Sequence, residues 1–436
     1  MKASRTALAL ALALALPASG ADLLSVYRDA RIADPVYQGA RAQFLATTER
    51  LPQARSGYLP QVNGSASIFR NSSERDGAPD ADFTTKTYAV TLAQPVFRMQ
   101  NWIAINQAQQ VVLQAEATLA AAQQDLALRV SQAYFDVLLA RDNVALSETQ
   151  KTAIDQQLAQ AKRNFEVGTA TIVDTLEAQA RYDQSVAKEI ADKNDLEVKR
   201  RALEVLLGKV TDALVPLREP LRLADPSPAD IEAWVKSASQ SSFAIAVARA
   251  NREIAQQEVA RQRAGHLPTL DLSGSISRTD NPLTAQPLVS PVSNDRAIGL
   301  TLSIPIFSGG LTQSRVREAL ALRDRAEQDL ENTERGVAQS VRTSFLNVTS
   351  GIAQVRALEQ ALVSTQSQLD STILGRDVGV RTSVDVLNAQ QQVFQTRRDL
   401  QSARYSYLIN TLRLKAATGG LDEADVEEVN RALGRG

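Results

Sequence analysis

A motif series that returns once, in the same order and at nearly constant spacing, restricts this chain of 436 residues to folds built from two similar halves. Arg55-Ser-Gly57-Tyr58-Leu59-Pro60 is matched by Arg263-Ala-Gly265-His266-Leu267-Pro268, an offset of 208. Val90 to Phe97 is matched by Leu300 to Phe307 at 210, and Val167-Gly168 through Gln179 by Val378-Gly379 through Gln390 at 211. Leu207-Gly208 answers Thr418-Gly419 at the same 211. The small drift falls where surface loops are expected. Pro216, Pro220, Pro226 and Pro228 mark a non-helical connector. The chain therefore divides into a first repeat (22–208), a connector (209–228), a second repeat (229–419) and a tail (420–436). Residues 1–21 are read as a signal peptide. Lys2 and Arg5 precede an unbroken Ala-Leu run, and small residues follow Pro17, with cleavage expected after Ala21 or Gly20.

Each half reads the same way. A first helix (about 22–56, then 229–264) leads into a Leu-Pro turn. Two short stretches of period two follow, in hairpins at about 61–95 and about 268–306. Val62, Gly64, Ala66 and Ile68 alternate with small polar residues, and so do Leu270, Leu272, Gly274 and Ile276. Their lengths, roughly 9–11 residues, suit either a membrane barrel wall or a soluble sheet packed on its apolar face. Polar loops at 71–84 and 279–295 close the hairpins. Beyond them the helices set the scale: residues 96–167 hold neither Pro nor Gly over 72 positions, which as one helix is ~108 Å. In the second half Val337, Val341, Phe345, Val348, Ile352, Val355, Leu358 and Leu362 step by threes and fours, a coiled-coil seam. Gly168 and Gly379 sit where the chain must reverse, since each precedes another long helix, and glycine readily takes the left-handed cap there.

The composition removes most chemistry. Without cysteine, thiolate metal sites, iron–sulfur clusters and cysteine nucleophiles are excluded. A single histidine leaves almost no His-based acid–base or metal constellation. Lys+Arg (48) and Asp+Glu (49) nearly cancel, so no global basic field for nucleic acid exists. No nucleophile–base–orienter set is found, and neither an enzyme nor a cofactor or metal is expected.

Four strands cannot close a barrel, and very long helices flanked by Ala, Ser and Gln cannot bury themselves in one protomer. An oligomeric tube follows, β in the membrane and α below it. In this setting the Asp22-Leu-Leu-Ser-Val-Tyr27 opening with Asp34-Pro35, the paired Leu-Pro turns and the two Val-Gly…Val-Asp-x-Leu tips resemble the TolC-like outer-membrane factor (outer membrane efflux protein) family. Ala403 to Asn410 followed by Gly419-Gly-Leu421 carries the same resemblance to the end of the chain. It implies a mainly α fold with membrane β: a coiled-coil α-helical barrel plus a homotrimeric β-barrel of twelve strands, four per chain. It further implies an exit duct in the outer membrane of a Gram-negative bacterium. The duct would extend into the periplasm and partner a periplasmic adaptor protein and an inner-membrane pump, either ABC or proton-driven.

Candidate residues cluster at the two reversals. Asp174/Glu177 and Asp385/Asn388 stand three apart and share a helix face. Three readings are open: a catalytic pair, acids complementing a helix dipole, or, as the resemblance implies, a periplasmic gate where symmetry gathers carboxylates into a ring. The resemblance also implies an inter-hairpin link from Arg381 to Asp174, with a solvated Arg381 as the alternative. It further implies adaptor contacts at Gly168, Thr169, Gly379 and Val380. Arg376 stands opposite Phe165, so the two tips are not interchangeable. His266 answers Tyr58 and is expected to pack beside its turn. The acidic tail from Asp422 is expected to form a solvated short helix near the connector. A trimeric adhesin-like stalk is the competing assembly, although two chain reversals fit it poorly. Protein secretion and small-molecule efflux are not separable on these residues.

Overall fold

The computed structural model describes residues 20–74, 81–211, 213–282 and 290–434. The expected signal peptide lies almost entirely outside the described residues, as do 75–80 and 283–289 of the two polar loops. The described chain forms two compact units: residues 40–121 with 243–337, and the remainder. Among the described residues no helix is long and apolar enough to cross a membrane.

The expected first helix is three helices, α1 (Leu23–Ala33), α2 (Pro35–Thr48) and α3 (Arg50–Ser56). The break at Asp34 has a local cause. A residue before proline is driven out of the helical region, and Asp34 is extended at φ −64°, ψ 118°. Its carboxylate then accepts the Tyr37 N–H at 2.7 Å, so the residue that ends α1 also caps α2. Pro52, lacking an N–H, weakens the α2–α3 junction. The matching segment of the second half is split likewise into α6 (Ile231–Ser241) and α7 (Phe243–Arg263). There Ser242 is extended, and the Ser241 hydroxyl lies within hydrogen-bond distance of the Ser237 and Thr418 carbonyls.

In the unit that carries the strands, β1 (Gln61–Ser73), β2 (Ala81–Phe97), β3 (Thr269–Asp280) and β4 (Val292–Ser303) form one antiparallel sheet in sequence order. The strands are longer than the 9–11 residues expected, because pairing continues past the apolar positions into polar ends such as Ser72↔Asp82. The hairpins of the two halves join through β2 and β3, with Val90 opposite Ile276, and the register slips only near Pro95. Arg98 and Asp271 close this junction with two charge-assisted hydrogen bonds of 3.0 and 2.8 Å. Tyr58 meets Trp102 edge-on at 6.1 Å. His266, which answers Tyr58, is instead exposed at the end of a single 3-10 turn. The expectation that it packs is corrected: Thr312 stands where the first half has Trp102, so no ring is there to receive it.

The other unit holds the main core. Leu23, Val26 and Tyr27 of α1, Leu126, Val130 and Tyr134 of α4 (Met99–Glu166), Leu203 of α5 (Ile172–Leu207) and Leu412 of α9 (Ser383–Ala417) are almost fully buried. The Tyr134 hydroxyl reaches the Ala21 and Val215 carbonyls at 3.1 and 2.9 Å, and burial pushes its phenol up. The tail helix α10 (Glu423–Asn430) is not simply solvated, as its acids suggested. Val426 and Val429 are buried, while Lys415 binds Asp425 and Glu428 at 2.5 and 2.9 Å. Leu433 pairs with Leu217 of the connector.

The seam expected along α8 (Leu311–Asp377) is present: Val341, Phe345, Val348, Ile352 and Val355 are buried. Val355 packs with Leu400 and Ala403 of α9, and Leu369 with Val386, Ala389 and Val393. The α4–α5 pair has an apolar cluster of its own, Leu158 and Ala161 with Ala178, and adds a charged seam. Lys151 and Lys193 both bind Glu189 (2.5 and 2.6 Å), Lys193 also binds Glu148 (3.0 Å), and Lys199 binds Asp136 (3.3 Å). The two lysines hold the Glu189 carboxyl below its ordinary range. A depressed carboxyl stabilises the fold above its unfolded pKa, and the contribution is lost as pH falls through the folded value. Acidification is therefore expected to speed amide hydrogen exchange in α5 before α9. Simultaneous loosening of both hairpins would show that this polar seam is not the acid-sensitive element.

Candidate functional site at the helical tips

The α4–α5 and α8–α9 reversals are two copies of one construction. Gly168 and Gly379 have φ of 78° and 80°, a conformation that a side chain disfavours. The N–H groups of Thr169 and Ala170 converge on the Asn164 carbonyl at 2.8 and 3.2 Å, as those of Val380 and Arg381 converge on the Gly375 carbonyl at 2.8 and 3.1 Å. Each following helix opens with a capping box: Thr171 with Asp174, and Thr382 with Asp385. The Thr382 N–H meets the Asp385 carboxylate at 2.9 Å, and the Asp385 N–H meets the Thr382 hydroxyl at 3.1 Å. These bonds from Thr382, with a smaller contribution from Arg381, hold the Asp385 carboxyl below its ordinary range. Asp174 is lowered in the same way by Thr171. Both acids are thus ionised at neutral pH.

The tips differ where the side chains cross. A Cβ on Gly375 would lie 2.8 Å from Arg381 Cγ, so glycine leaves room for the arginine stem over the last turn of α8. The first tip has the reverse pairing, Asn164 with the small Ala170. Arg381 lies near Asp385 and makes no ion pair with Asp174 within the chain. Arg376 reaches Gln157 at 3.3 Å and Asp377 at 2.8 Å. Glu177 is half-buried and Asn388 exposed.

A contact that the motif comparison missed involves Asn388 directly. Arg181 of α5 donates to Asn388 Oδ1 at 3.1 Å and to Gln391 Oε1 at 3.0 Å. Further along the same two helices, Arg398 lies 3.5 Å from Asp192, which Lys188 also binds at 2.5 Å. The signal available was asymmetry between the repeats. Arg181 is matched by Gln392, and Asp192 by Ala403, so each departs from its counterpart where the two hairpins meet. Among the described residues no group of side chains could hold a metal ion.

Long helical hairpins with capped tips, joined in one chain to a four-stranded antiparallel sheet, are the architecture of an outer-membrane channel subunit. The chain belongs to the outer membrane efflux protein family, whose model matches it twice, over residues 26–209 and 234–420. It is 34% identical over 414 residues to the outer membrane protein TolC of Vibrio cholerae serotype O1, covering 94% of each chain. It is 30% identical to the alkaline protease secretion protein AprF of Pseudomonas aeruginosa, covering 93% of this chain and 86% of that one. Its fold matches the crystal structure of CusC with a TM-score of 0.80 at 19% identity, over 92% of each chain. The protein is accordingly an outer-membrane exit duct of an efflux or type I secretion system.

Proposed function

We propose that three copies of this chain form one exit duct, a twelve-stranded barrel in the outer membrane continued by a helical tunnel in the periplasm. The observation that carries this is the sheet order. Strands β1 and β4 are each paired on one side only, and an open four-stranded sheet cannot stand in lipid with two bare edges. Three copies joined β4 to β1 leave no edge. Residues 22–208 and 229–419 serve as the two repeats, with 209–228 and 420–436 forming a belt between them. The duct takes its substrate from an inner-membrane pump through a periplasmic adaptor. Gly168, Thr169, Gly379 and Val380 are the adaptor contacts. The exposed Val167, Val173, Val378 and Val380 around these glycines give that surface its apolar character. Asp385 and Asn388, with Asp174 and Glu177, form the periplasmic constriction, and Arg381 links to Asp174 of a neighbouring hairpin. Relatives named for protease secretion and for cation efflux align with most of this chain, which supports a duct whose pump sets the cargo.

The test is the mass of the detergent-solubilised protein, with conductance in planar bilayers. A trimer that conducts is expected. A stable monomer with full β content would overturn the reading.

A further inference from the structure

The apolar face of the sheet changes character toward its hairpin turns. Directly paired residues project from the same face, so the register fixes its membership. One cross-strand row of this face is Val62, Leu92, Gly274 and Ile298. Beyond it, further from the helices, a cation appears on every strand. Arg296 stands opposite Ile276, Arg278 opposite Tyr88, Lys86 opposite Ile68, and Arg70 opposite Thr84. Each lies one row further along than the last, so the four form a diagonal across β4, β3, β2 and β1, all exposed. Two acids share the area. Asp82 approaches Arg70 to 4.0 Å, and Asp280 lies across from Lys86 without an ion pair. Among the described residues, Lys86, Arg278 and Arg296 have no carboxylate partner.

This arrangement leaves exposed positive charge that an anion from outside the chain can meet. The face is the apolar one, so in a barrel it meets lipid. A lipid-facing Arg or Lys costs roughly 2–4 kcal/mol at mid-bilayer and 0–1 near the interface, so the row belongs at headgroup level. It lies at the sheet end remote from the long helices, which is the outer leaflet. That leaflet is built of glycolipid whose sugar headgroup carries phosphate esters. Guanidinium groups bind phosphate through paired charge-assisted hydrogen bonds, and Tyr88 beside them offers an apolar ring with a polar tip. Gly64 and Ala66 keep the relief low next to Tyr88, and a Cβ added at Gly64 would meet nothing within 4 Å.

We propose that Arg70, Lys86, Arg278 and Arg296 form a docking row for the phosphorylated sugar headgroup of the outer-leaflet glycolipid. The proposal rests on the barrel reading above, because it needs this face turned outward at the outer end. Native mass spectrometry of the full-length protein tests it, with diphosphorylated lipid A, its dephosphorylated form and phosphatidylcholine as probes. The wild type is expected to prefer the diphosphorylated lipid by roughly tenfold or more, and to lose that preference as salt is raised. Arg278→Gln with Arg296→Gln should abolish it, Arg278→Lys with Arg296→Lys should keep part, and Ser275→Gln on the opposite face should leave it intact. A trimer that conducts but shows no phosphate preference, or whose glutamine variant retains it, overturns this inference alone. A wild type that neither trimerises nor conducts overturns the barrel reading and the inference with it.

Discussion

Asp34→Ala is expected to destabilise the helical unit by about 3 kcal/mol, toward the lower end for breaking a buried ion pair. The carboxylate is 1% exposed and receives Arg129 through two hydrogen bonds of 3.0 and 3.3 Å, while also capping α2 through the Tyr37 N–H. Removing it leaves the Arg129 guanidinium to Asp125 alone, 2.6 Å away on the same helix, and uncaps a helix at once. Burial pushes the carboxyl up, but Arg129 and the Tyr37 N–H outweigh it and hold it below the ordinary range. The stabilisation is therefore present above the unfolded carboxyl pKa and lost as pH falls through the folded one. Asp34→Asn should keep most of the cap and lose the pair, placing it between wild type and alanine near neutral pH. Below the folded pKa the wild type should fall toward the asparagine variant. Denaturant midpoints at several pH values measure this. Equal midpoints for wild type and Asp34→Ala at neutral pH would show that Asp125 alone satisfies Arg129.

What could be read from the residues alone was whatever the duplication wrote twice. The tip glycines, the capping acids Asp174 and Asp385, the Leu-Pro turns and the strand alternation recur at 208 to 211 residues, and each copy checks the other. Contacts made once carried no such mark. The Asp34–Arg129 pair spans 95 positions, and Arg181 reaches Asn388 across 207. Neither spacing has a periodicity that pattern can detect. The break at Asp34 is written in the sequence as Asp-Pro, which a single helix over 22–56 overlooks. The polar seam of α4–α5 was hidden for another reason. Glu189 and Lys193 look like a solvated helix face, and only packing against Glu148 and Lys151 of α4 makes it an interface. For the tip acids, geometry and symmetry answer different questions. The capping boxes account for Asp174 and Asp385 within one chain, and a ring of carboxylates needs three.

That difference sets the second large effect. In the proposed trimer, three copies of Asp385 around one axis would concentrate negative charge in a narrow passage, which attracts cations. Multivalent cations added on the periplasmic side are expected to block ionic current through the duct, and Asp385→Ala to weaken that block several-fold with trimer assembly intact. Because Asp385 also closes a capping box, the substitution removes two things, and Thr382→Ala separates them. It deletes the hydroxyl that caps α9 while leaving the carboxylate, so it should loosen the helix start and preserve the block. The Arg181 contact sharpens the companion test. A carboxylate introduced by Asn388→Asp would lie about where Arg181 already donates, 3.1 Å from Asn388 Oδ1, and its charge would be neutralised there. Asn388→Asp alone should therefore change the block little, whereas Asn388→Asp with Arg181→Gln should strengthen it. Single-channel recording reads all four variants. Should Thr382→Ala weaken the block as much as Asp385→Ala does, Asp385 acts as a helix-start carboxylate and the constriction charge resides on Asp174 and Glu177.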